Sequence, residues 1–259
     1  MRDTVLERRI GLSFEGLSRT SGLRHCFSTQ ARDGSGNVSM SGGRNIQDAL
    51  AQREFLAQRL GTTAKKIVVG GQIHSDGYRW VDASHCGRGA TTPETVLPNT
   101  DALLTQTPGV PLFTVVADCA AVLLYTGSPK PTLAIAHAGW KGLRDNILTK
   151  VVASMTKQGE AAPAQILAGI SPCIGLYSFE VGEEVAQAAP SCRTVRLDGK
   201  WHVDLAGWAN DQLRDAGLEQ PHIEASGLDT YERTDLFFSH RREGETAGRM
   251  GLLAMLEEA

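Results

Sequence analysis

Between Ala102 and Ala136 the chain passes through four short apolar runs: Ala102-Leu103-Leu104-Thr105, Leu112-Phe113-Thr114-Val115-Val116, Val122-Leu123-Leu124-Tyr125 and Leu133-Ala134-Ile135-Ala136. Proline and glycine punctuate them. Runs of this length fit strands covered on both faces better than helices. The links between them are short, which favours antiparallel pairing. Ile67-Val68-Val69, ending shortly before His74, and Ile166-Leu167-Ala168 read as further strands, with Ile223 and Leu236-Phe237-Phe238 as the last.

Helical patterns fall between these strands. Asn45 is placed to cap a helix, with Asp48 three residues on. Ile46, Leu50, Ala57 and Leu60 recur along it at helical spacing, and Gly61 suits its end. Leu143, Ile147, Val151 and Met155 step by four through a helix that begins near Gly139 and Gly142. Val181 to Ala189 reads as a helix stopped by Pro190, and Asp204 as the cap of a helix carrying Leu205, Trp208, Leu213 and Leu218. The Gly- and Ser-rich segment from Asp33 to Arg44 is a loop. No long linker or internal repeat divides the chain. The expectation is one compact α/β (α+β) domain over residues 1–259, with mixed β-sheets flanked by helices.

Composition narrows the function. A formal charge of −3 over 259 residues argues against a general nucleic-acid binder. No stretch approaches the roughly 20 apolar residues of a membrane span, and the first nine residues carry no apolar signal core. The five cysteines, Cys26, Cys86, Cys119, Cys173 and Cys192, are scattered and form no Cys-x-x-Cys pair. Reduced thiols and a cytoplasmic location are the expectation.

Three residues carry the chemistry. His74 lies in Gly71-Gln72-Ile73-His74-Ser75, Cys119 in Ala117-Asp118-Cys119-Ala120, and His137 in Ala136-His137-Ala138-Gly139-Trp140. Each adjoins an apolar run that would deliver it to a sheet edge. Two imidazoles and a thiolate suit a catalytic zinc with an open fourth position, and Asp118 could orient a histidine or a bound water from behind. From spacing alone, Cys119 as a small core residue and the histidines as core or surface residues stay open.

The neighbours of this trio form an ordered series. Gln72-Ile73-His74, Asp101-Ala102-Leu103-Leu104-Thr105, Ala117-Asp118-Cys119-Ala120 and His137-Ala138-Gly139-Trp140-Lys141-Gly142 are followed by Gly169-Ile170-Ser171-Pro172-Cys173-Ile174-Gly175. Glu180-Val181-Gly182, Asp204-Leu205, and Phe237-Phe238-Ser239-His240-Arg241-Arg242 to Arg249 complete it, with Phe27-Ser28-Thr29, Asn37 and Arg53 upstream. The series resembles the laccase-domain family, also called multicopper polyphenol oxidase or YfiH-type bacterial purine nucleoside phosphorylase. The resemblance spans about the whole chain.

It implies a metal, zinc with copper as the alternative, held by His74, Cys119 and His137. It implies phosphorolysis of adenosine, inosine, guanosine and methylthioadenosine, together with adenosine deamination. Purine nucleosides and phosphate would then be the partners, contacted by candidates Asn37, Arg53, Asp118, Lys141 and Arg242. Arg241 and Arg249 are further candidate cations, and Trp140 could stack on a purine, although solvated cations and a packed tryptophan read the same in sequence. Two other activities fit the family: a copper-dependent polyphenol oxidase, and a Cys-His hydrolase linked to editing of peptidoglycan precursors, with Cys119 as nucleophile and His137 as base. A metal-stabilised binding module is the non-enzymatic reading. The chain departs from the family pattern at Gln30, Gln52, Lys141, Asp229-Thr230 and His240. Lys141 keeps charge but loses the bidentate fork of an arginine.

Overall fold

The strands Ala120–Thr126 and Thr132–Ala138 are buried along their whole length because both faces of their sheet are covered. The computed structural model, which describes residues 2–6, 9–31 and 35–258, shows what covers them. Side chains alternate between faces along a strand. Ala120, Val122 and Leu124, with Ala134, Ala136 and Ala138, pack against Val151, Met155, Trp208 and Leu213. These belong to the helices Ile147–Gly159 and Leu205–Asp215. Ala121, Leu123 and Tyr125, with Leu133 and Ile135, face the other way and meet Leu112, Leu252 and Ala254 of a second sheet. Phe113, Leu253 and Met255 on the far side of that sheet pack on Leu56, Ala57 and Leu60, from the helix Ile46–Arg59 and its cap. The result is a layered α/β domain: helix, sheet, sheet, helices.

The sheet next to the helix pair runs in the order Ile223–Ala225, Leu167–Ile170, Ala120–Thr126, Thr132–Ala138, Ala102–Thr105, Tyr78–Trp80. Its inner pairs are antiparallel and its two edge pairs parallel. The second sheet runs Arg2–Leu6, Arg9–Ser13, Leu23–Ser28, Met250–Leu256, Leu112–Val116, Val68–Val69, parallel only at the last pair. A small antiparallel sheet of Glu180–Val181, Lys200–Val203 and Thr194–Leu197 stands beside them. The mixed sheets flanked by helices are those expected. Among the described residues, no helix is long and apolar enough to cross a membrane.

Several local expectations are corrected. Leu236-Phe237-Phe238 is not a strand. Phe237 N–H donates to Arg233 O in a turn, its carbonyl accepts from Arg242, and both phenylalanines are buried between the sheets. The last strand is Met250–Leu256. The pattern Leu143, Ile147, Val151, Met155 spans two helices, Trp140–Arg144 and Ile147–Gly159, because Asn146 turns into the left-handed region. The four residues still share one core face. The helix expected over Val181–Ala189 is Glu183–Ala188, its first residues being taken by the small sheet. The strand near Ile166 is displaced to Leu167–Ile170, and only Val68–Val69 of the earlier run pairs. Asn45 does cap its helix, accepting from Gln47 and Asp48 N–H, and Asp204 caps the next-to-last α-helix through Gly207 N–H. The expected Gly/Ser loop is seen from residue 35 onward, and its residues 33 and 34 lie outside the described residues.

Candidate metal centre

His137 shares its face with Leu133 and Ile135, so it points into the layer between the sheets at the end of its strand. It lies across from Ala121 in the ladder. Cys119, two residues before Ala121, precedes that strand on the same face and packs against the same layer. Parity therefore delivers a thiol and an imidazole side by side. His74 arrives from the segment after Val69, with φ of 61°. The ligand atoms of His74, Cys119 and His137 all lie within 4.8 Å of one another. His74 is exposed and His137 buried, so the cluster opens on one side.

One carboxylate organises two of the three. Asp101 Oδ1 is 2.9 Å from His137 Nδ1 and accepts from His74 N–H at 3.0 Å. Its Oδ2 accepts from Ser75 N–H and Ser75 Oγ. The Asp101 bond fixes Nδ1 of His137 as the protonated nitrogen, leaving Nε2 for the cluster, the arrangement that orients metal-bound histidines. Burial alone would raise the Asp101 carboxyl, but these hydrogen bonds hold it down at about 2. Burial likewise opposes charge on Cys119 and His137, and their mutual attraction overcomes it: the thiol is lowered and the imidazole raised. The pair favours thiolate, the form that binds metal.

The donor set fits a single zinc-type ion: two imidazole nitrogens and one thiolate, with one side open. Gly139 fits the same purpose. A Cβ there would stand 2.9 Å from Cys119 Sγ and 3.2 Å from His74 Cδ2, so only glycine leaves the cluster its room.

The cluster forms the floor of a cavity of about 640 Å³, within the usual range for small-molecule sites. Arg53, Arg241, Arg249, His240, Trp140 and Phe179 line its walls. Arg53 is buried, and burial lowers it to about 10. Its Nε and Nη1 donate to the carbonyls of Val38, Gly89 and Ala90. Arg249 Nη1 donates to Ala247 and Gly248 carbonyls, and burial lowers this guanidinium too. Among the described residues neither arginine has a carboxylate partner at ion-pair distance. Arg53 is buried, and Arg249 is half-buried and feels the Asp118 and Glu245 carboxylates of the same wall only at longer range; guanidinium groups held this way make the cavity receptive to anions.

The other expected contacts fall differently. Asn37 is turned to its own loop, accepting from Ser39 N–H and Arg249 N–H. Lys141 is exposed, 5.6 Å above the Trp140 ring, and is not part of the cavity wall. Arg242 is used up as a clamp on the carbonyls of Thr230, Tyr231 and Phe237 and on Glu243. Asp118 touches neither histidine; its oxygens accept from Thr230, Ser239 and Arg241. Of the five candidates, only Arg53 and Asp118 line the cavity. Gln30 donates to Thr234 O, away from the wall, whereas His240 lines it. Asp101 was part of a recognised motif, but nothing in its spacing revealed that it, rather than Asp118, supports His137.

Comparison with known proteins agrees with this architecture. A purine nucleoside phosphorylase of Bacteroides thetaiotaomicron is 28% identical over 92% of this chain and 93% of its own length. The adenosine deaminase RL5 of an unknown prokaryotic organism is 32% identical over 77% of this chain and 79% of its own. The crystal structure of the hypothetical protein YfiH of Bacillus licheniformis superposes with a TM-score of 0.89 at 27% identity, covering 96% of this chain and 97% of that one. Residues 20–257 match the profile of the multi-copper polyphenol oxidoreductase laccases, and the chain belongs to that family.

Proposed function

We propose that the protein is a zinc-dependent purine nucleoside phosphorylase acting on adenosine, inosine, guanosine and methylthioadenosine, with adenosine deaminase activity, working on nucleosides and phosphate in the cytoplasm. One observation carries the reading: a three-donor cluster floors a cavity whose walls hold the cations Arg53 and Arg249, neither at ion-pair distance from a carboxylate among the described residues. The activities for which the phosphorylase and deaminase relatives are named support it.

His74, Cys119 and His137 would hold the zinc, which supplies a Lewis acid at the cavity floor. The rest belongs to the chain. Phosphorolysis joins a phosphate oxygen to the anomeric carbon of ribose while the glycosidic bond breaks and its electrons leave with the purine. Arg53 and Arg249 would hold the dianion against that carbon through charge-assisted hydrogen bonds. Trp140, with Arg144 5.5 Å from its ring, offers a planar wall for the base. Asp101 keeps His137 in one tautomer throughout.

The test is to purify the protein, measure its metal, and incubate it with inosine and phosphate while following ribose 1-phosphate. Zinc with phosphate-dependent product supports the proposal. Bound zinc with no product from any nucleoside sinks it. Cys119→Ala should remove metal and activity together; zinc retained at full occupancy would refute the ligand role of Cys119.

A second reading has its own observation. Cys119, His137 and Asp101 also stand in the order of a nucleophile, its base and the group that orients the base. A Cys-His hydrolase would be active without metal and lost on thiol alkylation. Copper in the purified protein, with oxygen consumed on a phenol, would favour the oxidase that the family description names.

A further inference from the structure

Asp118 directly precedes Cys119, and its backbone is in the left-handed region, with φ of 79°. Residues other than glycine adopt this rarely, and persist in it where their surroundings over-determine it. Here the surroundings are the stretch from Thr230 to Arg241, together with Ile174. Asp118 Oδ1 accepts from Thr230 Oγ1 at 2.7 Å. Its Oδ2 accepts from Ser239 Oγ at 3.1 Å and from Arg241 N–H at 2.7 Å. The backbone carbonyl of Asp118 accepts from Ile174 N–H at 2.9 Å. Asp118 is only 8% exposed.

The three donors sit on either side of the segment that builds one wall of the cavity. Ser239 caps the short helix His240–Glu243 by accepting from Arg242 N–H. That turn projects His240 and Arg241 to the cavity. The Arg241 guanidinium lies 5.5 Å from the Phe179 ring, and its Nη1 donates to Glu180 O. Its Nε and Nη2 have no protein partner among the described residues. Asp118 thus ties two things together: the backbone that presents the thiol, and the turn that presents a cation with spare donors.

We infer that Asp118 is a positioning residue that registers Arg241 against the metal centre, so that an anionic group of the substrate is gripped at a set distance from the cluster. A carboxylate suits this task because it accepts from all three donors at once. An amide in its place would keep one oxygen for Ser239 and the Arg241 N–H, turn its NH2 toward the Thr230 hydroxyl so that this bond must reverse, and remove the charge that strengthens all three. The inference rests on the phosphorylase reading for its kinetic readout only. Its binding readout uses inorganic phosphate and needs no turnover.

The experiment compares Asp118→Asn, Thr230→Val, Arg241→Gln and the double variant Asp118→Asn/Arg241→Gln, all zinc-loaded and full-length. Each is checked for metal content and a cooperative melt. Phosphate affinity is then measured by calorimetry, and KM for phosphate, KM for inosine and kcat by turnover. Asp118→Asn should keep its zinc and weaken phosphate binding by roughly tenfold, the lower end for losing an orienting partner. KM for inosine should move much less. Thr230→Val should shift phosphate in the same direction by a smaller factor. If Asp118 acts through Arg241, the double variant is no worse than Arg241→Gln alone. Independent, multiplying effects overturn the inference, as does a wild-type protein that does not bind phosphate. Should Asp118→Asn fail to fold, the Thr230→Val comparison with and without Arg241→Gln decides in the same way. Wild-type protein that binds phosphate but cleaves no nucleoside refutes the phosphorylase reading, and the calorimetric cycle still judges Asp118.

Discussion

Gly139 is where a single residue limits the chemistry most directly. Its φ and ψ of −79° and 168° are open to any residue, so the constraint is space and not backbone freedom. Alanine would press a methyl group against Cys119 Sγ and His74 Cδ2. We expect Gly139→Ala to fold with an unchanged sheet yet lose about 10–100-fold in zinc affinity, as when a group that orients a ligand is disturbed. Competition with a chromophoric chelator measures this; an unaltered affinity would mean the cluster has more room than its geometry implies. The meeting of His74, Cys119 and His137 in one cluster was legible in sequence through their ordered neighbours, not through spacing. Asp101 was not, because a carboxylate 36 residues from His137 reaches it only once Ala102–Thr105 and Thr132–Ala138 pair. Arg242 and Lys141 looked like binding cations because sequence shows charge and not direction.

The junction between elements near His25 holds a second titratable group far from the cluster. His25 Nε2 accepts from Phe14 N–H at 3.0 Å, and its ring stacks on Phe14. Phe14 precedes the short helix Glu15–Ser18, whose first N–H groups are taken by Glu224 from the edge strand of the other sheet. Burial lowers His25 to about 4, against the pull of Glu224. A folded pKa below the unfolded 6.5 means that the unfolded chain binds more protons between the two values. The contribution of His25 is therefore present above pH 6.5 and lost as pH falls toward 4. At about 1.4 kcal/mol per unit, the loss is roughly 3 kcal/mol at most. His25→Gln keeps an acceptor for Phe14 and should flatten urea-melt stability across that window; an unchanged slope would exclude His25 as its source. Elements with local signals were legible in the same way as this junction was not. Asn45 and Asp204 announce their helices by capping, and the central strands by continuous apolar runs. Met250–Leu256 was missed because its Met, Gly, Leu and Ala include no β-branched or aromatic residue to mark a strand, and its partners, Leu23–Ser28 and Leu112–Val116, are far away in sequence.

At the scale of the whole molecule, the cluster joins three segments that no single element connects: the crossing after Val69, the entry to Ala120–Thr126 and the exit of Thr132–Ala138. The layered arrangement that brings them together was not legible, because each layer is closed by pairings distant in sequence. A ligand that binds only the folded state stabilises it by mass action, about 2.7 kcal/mol when free metal is 100 times Kd. In a chain of this size each kcal/mol moves the melting temperature by roughly 2–4 °C. Stripping zinc with a chelator should therefore lower the calorimetric melting temperature by about 5–10 °C, reversibly on re-addition. The same treatment of Cys119→Ala should change nothing, since its ligand set is already broken. Gly139→Ala should fall between the two, its shift shrinking with its zinc affinity. A wild-type melt indifferent to chelation would separate the trio from any metal and leave the Cys119–His137–Asp101 alignment as the centre of the cavity's chemistry.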